Sequence, residues 1–266
     1  MITWIIESNI YDDNDARLVE AAKAQGHEII RWDDQWILRN KFPTPLNSFI
    51  VFHGSLGNAS QITSQTNWKP GAFCTTENLH CSAWYPDCKD WLIHKKWSST
   101  TVSEFVENPG LIFEKIEAEG SVFVRPDSPL KPFSGRVIQK GSVSLKALDY
   151  GYYYQDKNLP IIVAPLSVIG KEWRFVVIKK QVIADSAYTA ESREESGYIS
   201  SGKEWDYAQV IANNITSPDD VYVLDLCESE GAYKLLEINS FSGADLYACD
   251  RTSIVESMAL LAGQAA

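Results

Sequence analysis

Two apolar runs, each carrying an acid and separated by a tight turn, constrain this chain more than any other feature. They are "YVLDLC", the turn "ESEGAY" and "KLLEINS", together residues 222–240. Strand side chains alternate between faces, so Glu237 and Asn239 share one face. Across a short turn, Asp225 can stand opposite Glu237 on the neighbouring antiparallel strand. A hairpin with solvent-facing acids would also suit the turn, but Glu237 lies between Leu236 and Ile238, where a buried strand is expected. Two carboxylates side by side repel unless a cation joins them. Three converging oxygen donors suit Mg2+, which binds through one or two carboxylates together with phosphate oxygens and water. Asp225, Glu237 and Asn239 are therefore the candidate metal ligands.

The amino-terminal part has a different rhythm. "ITWII", a helical "DDNDARLVEAAKAQG" with Leu18, Val19 and Ala22 on one face, then "HEIIRW" and "SFIVFHG" predict a β-α-β unit with a parallel sheet. No G-x-G-x-x-G follows the first strand, which argues against dinucleotide binding there. Residues 57–98 read as an irregular connection with a short helix around "KDWLIHKKW". Its cysteines, with Cys227 and Cys249, lack the close C-x2-4-C pairing of zinc sites, so they read as reduced structural thiols even though His80 lies among them.

Charge removes several function classes. Asp and Glu number 35 against 24 Lys and Arg, giving −11 over 266 residues. That balance argues against nucleic acid or an anionic membrane as the main partner. The start "MITWIIESN" has no cationic stretch before an apolar one, and no apolar run reaches membrane-spanning length. The expectation is a soluble, cytoplasmic protein with oligomeric state open.

Beyond residue 100, "TVSEFVENPGLIFEKIEAEG" reads as helical and leads into three chemically informative segments. In "FVRPDSPLKPFSG", Arg125 leaves an apolar strand, where an isolated charge needs a partner. Lys131, Ser134 and Gly135 follow in a loop. A strand guanidinium, a loop ammonium and turn amides are what a polyphosphate needs, although an ordinary loop with surface cations has the same composition. In "IIVAPLSVIGKEWRFVVI", Ala164, Pro165 and Leu166 form an apolar linker whose free backbone groups suit an adenine edge. Glu172 and Arg174 then share a face, with Trp173 and Phe175 on the other; Glu172 suits ribose hydroxyls, and Arg174 suits phosphate or an ion pair. The third segment, 189–205, is polar and Gly-containing, a candidate lid carrying Arg193, or else a surface loop. Helices are expected at "EWDYAQVIANN" and at the closing "TSIVESMALLAG".

In this order the pieces resemble the ATP-grasp superfamily over roughly residues 100–250, and "FVRPDSPLKPFSG" resembles a phage and bacterial clade with Arg where most members carry Lys. The resemblance implies an α/β fold with α+β lobes. A Rossmann-like domain at 1–95 would precede an ATP-grasp domain at 96–266, with lobes at 96–163 and 164–266. It also implies ATP and Mg2+ as cofactors: Arg125 and Lys131 on phosphates, Ala164–Leu166 at adenine, Glu172 at ribose, and Mg2+ on Asp225, Glu237 and Asn239. The implied activity is carboxylate–amine ligation through an acyl phosphate, with Arg125, Lys131 and Arg174 spreading charge and no protein nucleophile. The substrate would be an amino acid, a peptide or a protein tail. D-alanine ligase-like members carry an Arg two residues before the metal Asp; here that residue is Val223, so the role passes to Arg174, Arg193 or Arg136. An acceptor pocket is expected between the first domain, the lid and "NSFSGADLY", where Ser242 and Gly243 are candidates for holding a substrate carboxylate through their amides. A kinase-type phosphotransferase and a non-catalytic nucleotide-binding protein are the competing readings.

Overall fold

The computed structural model describes residues 1–11, 14–74, 77–148, 156–188 and 202–264. Three four-stranded sheets organise these residues. The first is built from β1 (Thr3–Ile6), helix α1 (Asn14–Ala24), β2 (Glu28–Arg31), α2 (Gln35–Arg39), β3 (Phe49–His53), α3 (Leu56–Gln65) and β4 (Lys69–Gly71). Its order is β2-β1-β3-β4, and all pairings are parallel, as the amino-terminal alternation predicts.

The 57–98 region departs from the expectation of irregularity. α3 forms because Ser55 caps it, its Oγ accepting from Asn58 N. A short helix, α4 (Cys81–Trp84), comes ahead of the segment expected to be helical. "KDWLIHKKW" begins in a turn and then bridges the last strand at Leu92: Leu235 N donates to Trp91 O at 2.8 Å, and Ile93 N to Leu235 O at 2.9 Å. Its consecutive apolar residues are explained by that position, with Leu92 buried against the third sheet. All five cysteines are free and buried.

The second sheet has order β5-β8-β6-β7, from β5 (Ser98–Thr101), α5 (Val102–Glu107), α6 (Pro109–Lys115), β6 (Ser121–Pro126), β7 (Arg136–Gln139), α7 (Leu145–Leu148) and β8 (Pro160–Pro165). One helix was expected over 101–120; there are two, because Pro109 lacks an N–H and starts a new helix at its N1 position.

The third sheet, β10-β9-β11-β12, is fully antiparallel: β9 (Glu172–Ile178), β10 (Gln181–Tyr188), α8 (Lys203–Asn214), β11 (Val221–Ser229), β12 (Ala232–Ser240) and the closing α9 (Arg251–Gln264). One face packs on α8 through Trp173, Phe175 and Leu224. On the other, α9 and α1 join it to the first sheet: Ile2, Trp4 and Ile6 share a core with Val176, Val223, Phe241 and Met258. That shared core sets the loops after β1 and β3 over one end of the third sheet. No helix among the described residues is long and apolar enough to cross a membrane.

Candidate active site

Three charged residues stand in a row across the third sheet. Asp225 on β11 pairs in register with Arg174 on β9 and with Glu237 on β12. A register shift follows at Asp225/Leu226. Such a bulge re-aims a strand locally. The two carboxylates are thus neighbours, and protein groups offset their repulsion. Arg174 Nε donates to Asp225 Oδ1 at 2.9 Å and Nη2 to Oδ2 at 2.7 Å, a two-pronged pair on a carboxylate only 1% exposed. Arg174 Nη1 donates to the Asp245 carbonyl at 2.6 Å. Tyr247 and Tyr188 stack on each other and present their rings to the Arg174 guanidinium at 4.8 and 5.6 Å. Every prong of that guanidinium therefore has a partner.

Glu237 is held from the second sheet. Arg125 Nη2 donates to its Oε1, and Lys131 Nζ lies 3.0 Å from the same oxygen. Burial alone would raise the Glu237 pKa, but Lys131 and Arg125 hold the carboxyl well below the usual range. Asn239 lies between the acids, Nδ2 donating to Asp225 Oδ2 at 3.1 Å and to Glu237 Oε2 at 3.0 Å. Glu172 accepts from Tyr188 Oη at 2.7 Å, and its pKa is raised by burial.

A cation fits this donor set. One Asn239 amide atom lies within 3.1 Å of an oxygen of each carboxylate, and a half-turn of the amide would bring Oδ1 to the same place. Among the described residues no group of three or more His, Cys, Asp and Glu is placed to hold a metal. A cation here would use two carboxylates, the Asn239 amide oxygen and oxygens from outside the chain, which is the habit of Mg2+ rather than zinc.

Three cavities adjoin along the row. One of about 510 Å³ is lined by Tyr11, Leu56, Glu172, Arg174, Asp225 and Asp245, among others. It shares Lys131, Leu236 and Glu237 with a second of about 340 Å³, which Arg125, Ser134 and Gly135 also line. A third, of about 380 Å³, carries Pro165 and Leu166 and meets the second at His94. The pairing of β8 with β5 ends at Val163, so Ala164 keeps only its β6 neighbour, Phe123.

Nearly every residue singled out in the sequence thus borders one cleft. Arg193 and most of the 189–205 segment lie outside the described residues. Arg136 lines none of these cavities. Val223 is fully buried in the shared core, beside Asn239 in the ladder, and it is Arg174 that brings a guanidinium to Asp225. Ser242 is fully buried, its Oγ accepting from Phe73 N and its carbonyl from Gly54 N, which ties this turn to the first sheet; Gly243 lines the large cavity. Asp245 and Tyr247 lie in "NSFSGADLY", the segment expected to border the acceptor pocket; sequence reasoning missed Tyr11, His94 and Tyr188. Of these, Tyr188 alone had a readable signal, being on a strand next to one already marked by Glu172 and Arg174.

Residues 97–257 match a family model for the ATP-grasp domain, the second family of one clade within it. Among solved structures, the chain is similar to a RimK domain protein ATP-grasp from Sphaerobacter thermophilus DSM 20745, at 11% identity and a TM-score of 0.64, covering 97% of this chain and 99% of that one. It is also similar to the D-cycloserine synthetase DcsG, at 12% identity and a TM-score of 0.62 over 98% and 100%. A third likeness is to the ATP-grasp ligase PsnB complexed with precursor peptide PsnA2 and AMPPNP, at 13% and 0.57 over 97% and 96%. No curated protein sequence matches the chain.

Proposed function

The chain belongs to the ATP-grasp family, and from that membership we propose that it is an ATP-dependent ligase joining a carboxylate to an amine. The observation that carries this reading is the row Arg174–Asp225–Glu237, bridged by Asn239 and facing Arg125 and Lys131 across the cleft. ATP would lie along the adjoining cavities, with adenine at Ala164–Leu166, ribose at Glu172 and phosphates at Arg125, Lys131 and the Ser134–Gly135 turn. Asp225, Glu237 and Asn239 would hold Mg2+, which when bound offsets phosphate charge so that an anionic carboxylate can approach.

The chain's own residues do the positioning. Arg125 and Lys131 now share Glu237; contact with phosphate would redirect them to the transferred group, where their charge matters most as the bond to ADP breaks. Arg174, fixed by two prongs and two rings, stands beside the same acids and would stabilise charge developing on the carboxylate. The carboxylate oxygen attacks the γ-phosphorus and ADP leaves; the amine then attacks the acyl carbon of the acyl phosphate and inorganic phosphate leaves. Both steps need water kept out and reactants held in line, which is the purpose of a closed cleft. The acceptor end lies by Tyr11, Leu56 and Gly243, and an amino acid, a peptide or a protein tail is the substrate class. PsnB, similar in fold, was solved with a precursor peptide.

An ADP-release screen of the purified protein with MgATP, against amino-acid and peptide pools, tests this function. Ligation requires ADP and phosphate in equal amounts, dependent on both a carboxylate and an amine. A phosphorylated product without free phosphate would identify a kinase instead, and binding without turnover a non-catalytic nucleotide protein.

A further inference from the structure

His94 sits where two cavities meet; His27 and His53 share with it only a buried nitrogen that has no partner. The extended segment pinned to β12 by the Leu92–Leu235 bridge delivers it to the junction of two cavities. One holds Arg125, Lys131, Ser134 and Gly135; the other holds Pro165 and Leu166. The residue is 6% exposed; its Nδ1 is enclosed without a hydrogen-bond partner, and Nε2 is the nitrogen left open to the cavities. Its ring stacks on Phe123 at 5.6 Å and 20°, and on Tyr85 at 6.4 Å and 29°. Phe123 in turn presses on Gly135 so closely that a Cβ there would lie 2.6 Å from its ring.

A ring serving only as packing would do better as phenylalanine, since a buried polar atom without a partner loses its hydration and gains nothing in return. An imidazole is useful at this point for a ligand that runs from the Pro165–Leu166 cavity to the Arg125–Lys131 cavity. We propose that His94 is a nucleotide contact, its Nε2 hydrogen-bonding ATP at the adenine-side end of the phosphate chain, where the nucleotide crosses between the two cavities. The inference rests on the ATP-dependent function above and adds to it a residue outside the strands that bear the charged row. Burial, and then the nearby Arg125, lower the His94 pKa to about 4, so the free protein offers a neutral ring that can donate one hydrogen bond. The stack on Phe123 sets the ring plane, and through Phe123 the ring is coupled to the Ser134–Gly135 turn.

The test is calorimetric binding of a nonhydrolysable ATP analogue with Mg2+ to the full chain and to two variants, each checked by thermal melting. His94→Phe keeps the stack and removes both nitrogens; it should melt no lower than the parent yet bind at least about tenfold more weakly, as losing a hydrogen bond to a charged group requires. His94→Gln, which restores a donor, should recover most of the affinity. Affinity in His94→Phe equal to the parent, or equal losses in both variants accompanied by lower melting temperatures, would overturn the proposal. A parent protein that fails to bind the analogue at all would overturn the ATP reading itself, which the variants' behaviour does not touch.

Discussion

Arg174 and Asp225 meet prong to prong on neighbouring strands, at 2.9 and 2.7 Å, with the carboxylate almost wholly buried. Breaking such a pair by removing one partner leaves an uncompensated buried charge, which costs about 3–5 kcal/mol. Arg174→Met should therefore lower unfolding free energy by about that amount in urea titrations. Arg174→Lys keeps the charge but loses the fork, so it should be milder in stability and still poor in turnover. A stability loss under about 1 kcal/mol in Arg174→Met would mean that the pair is far more solvated than its geometry indicates.

Arg125 and Lys131 divide the work of holding Glu237, and under the proposed function they also hold phosphate. Arg125→Met and Lys131→Met should each weaken binding of the MgATP analogue at least about tenfold, the effect of removing one charge-assisted contact. Arg125→Lys should recover part of it, because a point charge replaces a fork. Unchanged affinity in both Met variants, measured by calorimetry, would place the phosphates elsewhere.

The row of acids was readable because strand alternation and a short turn leave few ways to arrange Asp225, Glu237 and Asn239, and the register Asp225↔Glu237 follows. The expectation that a cation must join the two acids had the right physics but not the whole set of cations: Arg174, Arg125 and Lys131 already stand there. Those partners come from other strands, and cross-sheet pairing is not written in local pattern. The same holds for "KDWLIHKKW", whose apolar run suits a helix or an extended segment equally; the Leu92–Leu235 bridge decided it. Asn108-Pro109 was a legible helix break that a single long helix over 101–120 overlooked. Tyr11 reaches the cavity only because the first sheet and the third share a core, which no local segment reveals.

Gly243 and Leu56 meet where the turn after the last strand packs on α3, at the end of the cleft proposed for the acceptor. A Cβ on Gly243 would lie 2.1 Å from Leu56 Cδ2 and 3.3 Å from its Cα. Gly243→Ala should therefore destabilise the fold by about 1–3 kcal/mol, the range for overpacking. It should also raise KM for the acceptor more than for ATP. Adding Leu56→Ala should return much of the lost stability, an interaction that a double-mutant cycle measures. Simple additivity of the two changes would show that they do not meet.

Two buried histidines give the fold an acid sensitivity. Burial lowers the His53 pKa to about 3 and the His94 pKa to about 4, against 6.5 as the ordinary value. Below pH 6.5 the unfolded chain takes up protons that these folded rings refuse, so stability present at neutral pH is lost as pH falls toward 4. Each ring contributes up to about 1.4 kcal/mol per pH unit in that window. His53→Gln keeps an N–H near the Ala244 carbonyl, 3.1 Å from Nε2 in the parent, and cannot titrate; its unfolding free energy should fall less steeply between pH 6.5 and 4. An identical slope in the variant would mean that His53 titrates normally in the folded state.

The most direct measurement is Mn2+ binding followed by electron paramagnetic resonance, with Mn2+ standing in for Mg2+, in the presence of a nonhydrolysable ATP analogue. The account predicts that the parent binds the ion tightly only with the nucleotide, and that Asp225→Asn and Glu237→Gln each weaken that binding at least about tenfold while remaining folded by circular dichroism. Mn2+ binding with the nucleotide that is unchanged in both variants would contradict it.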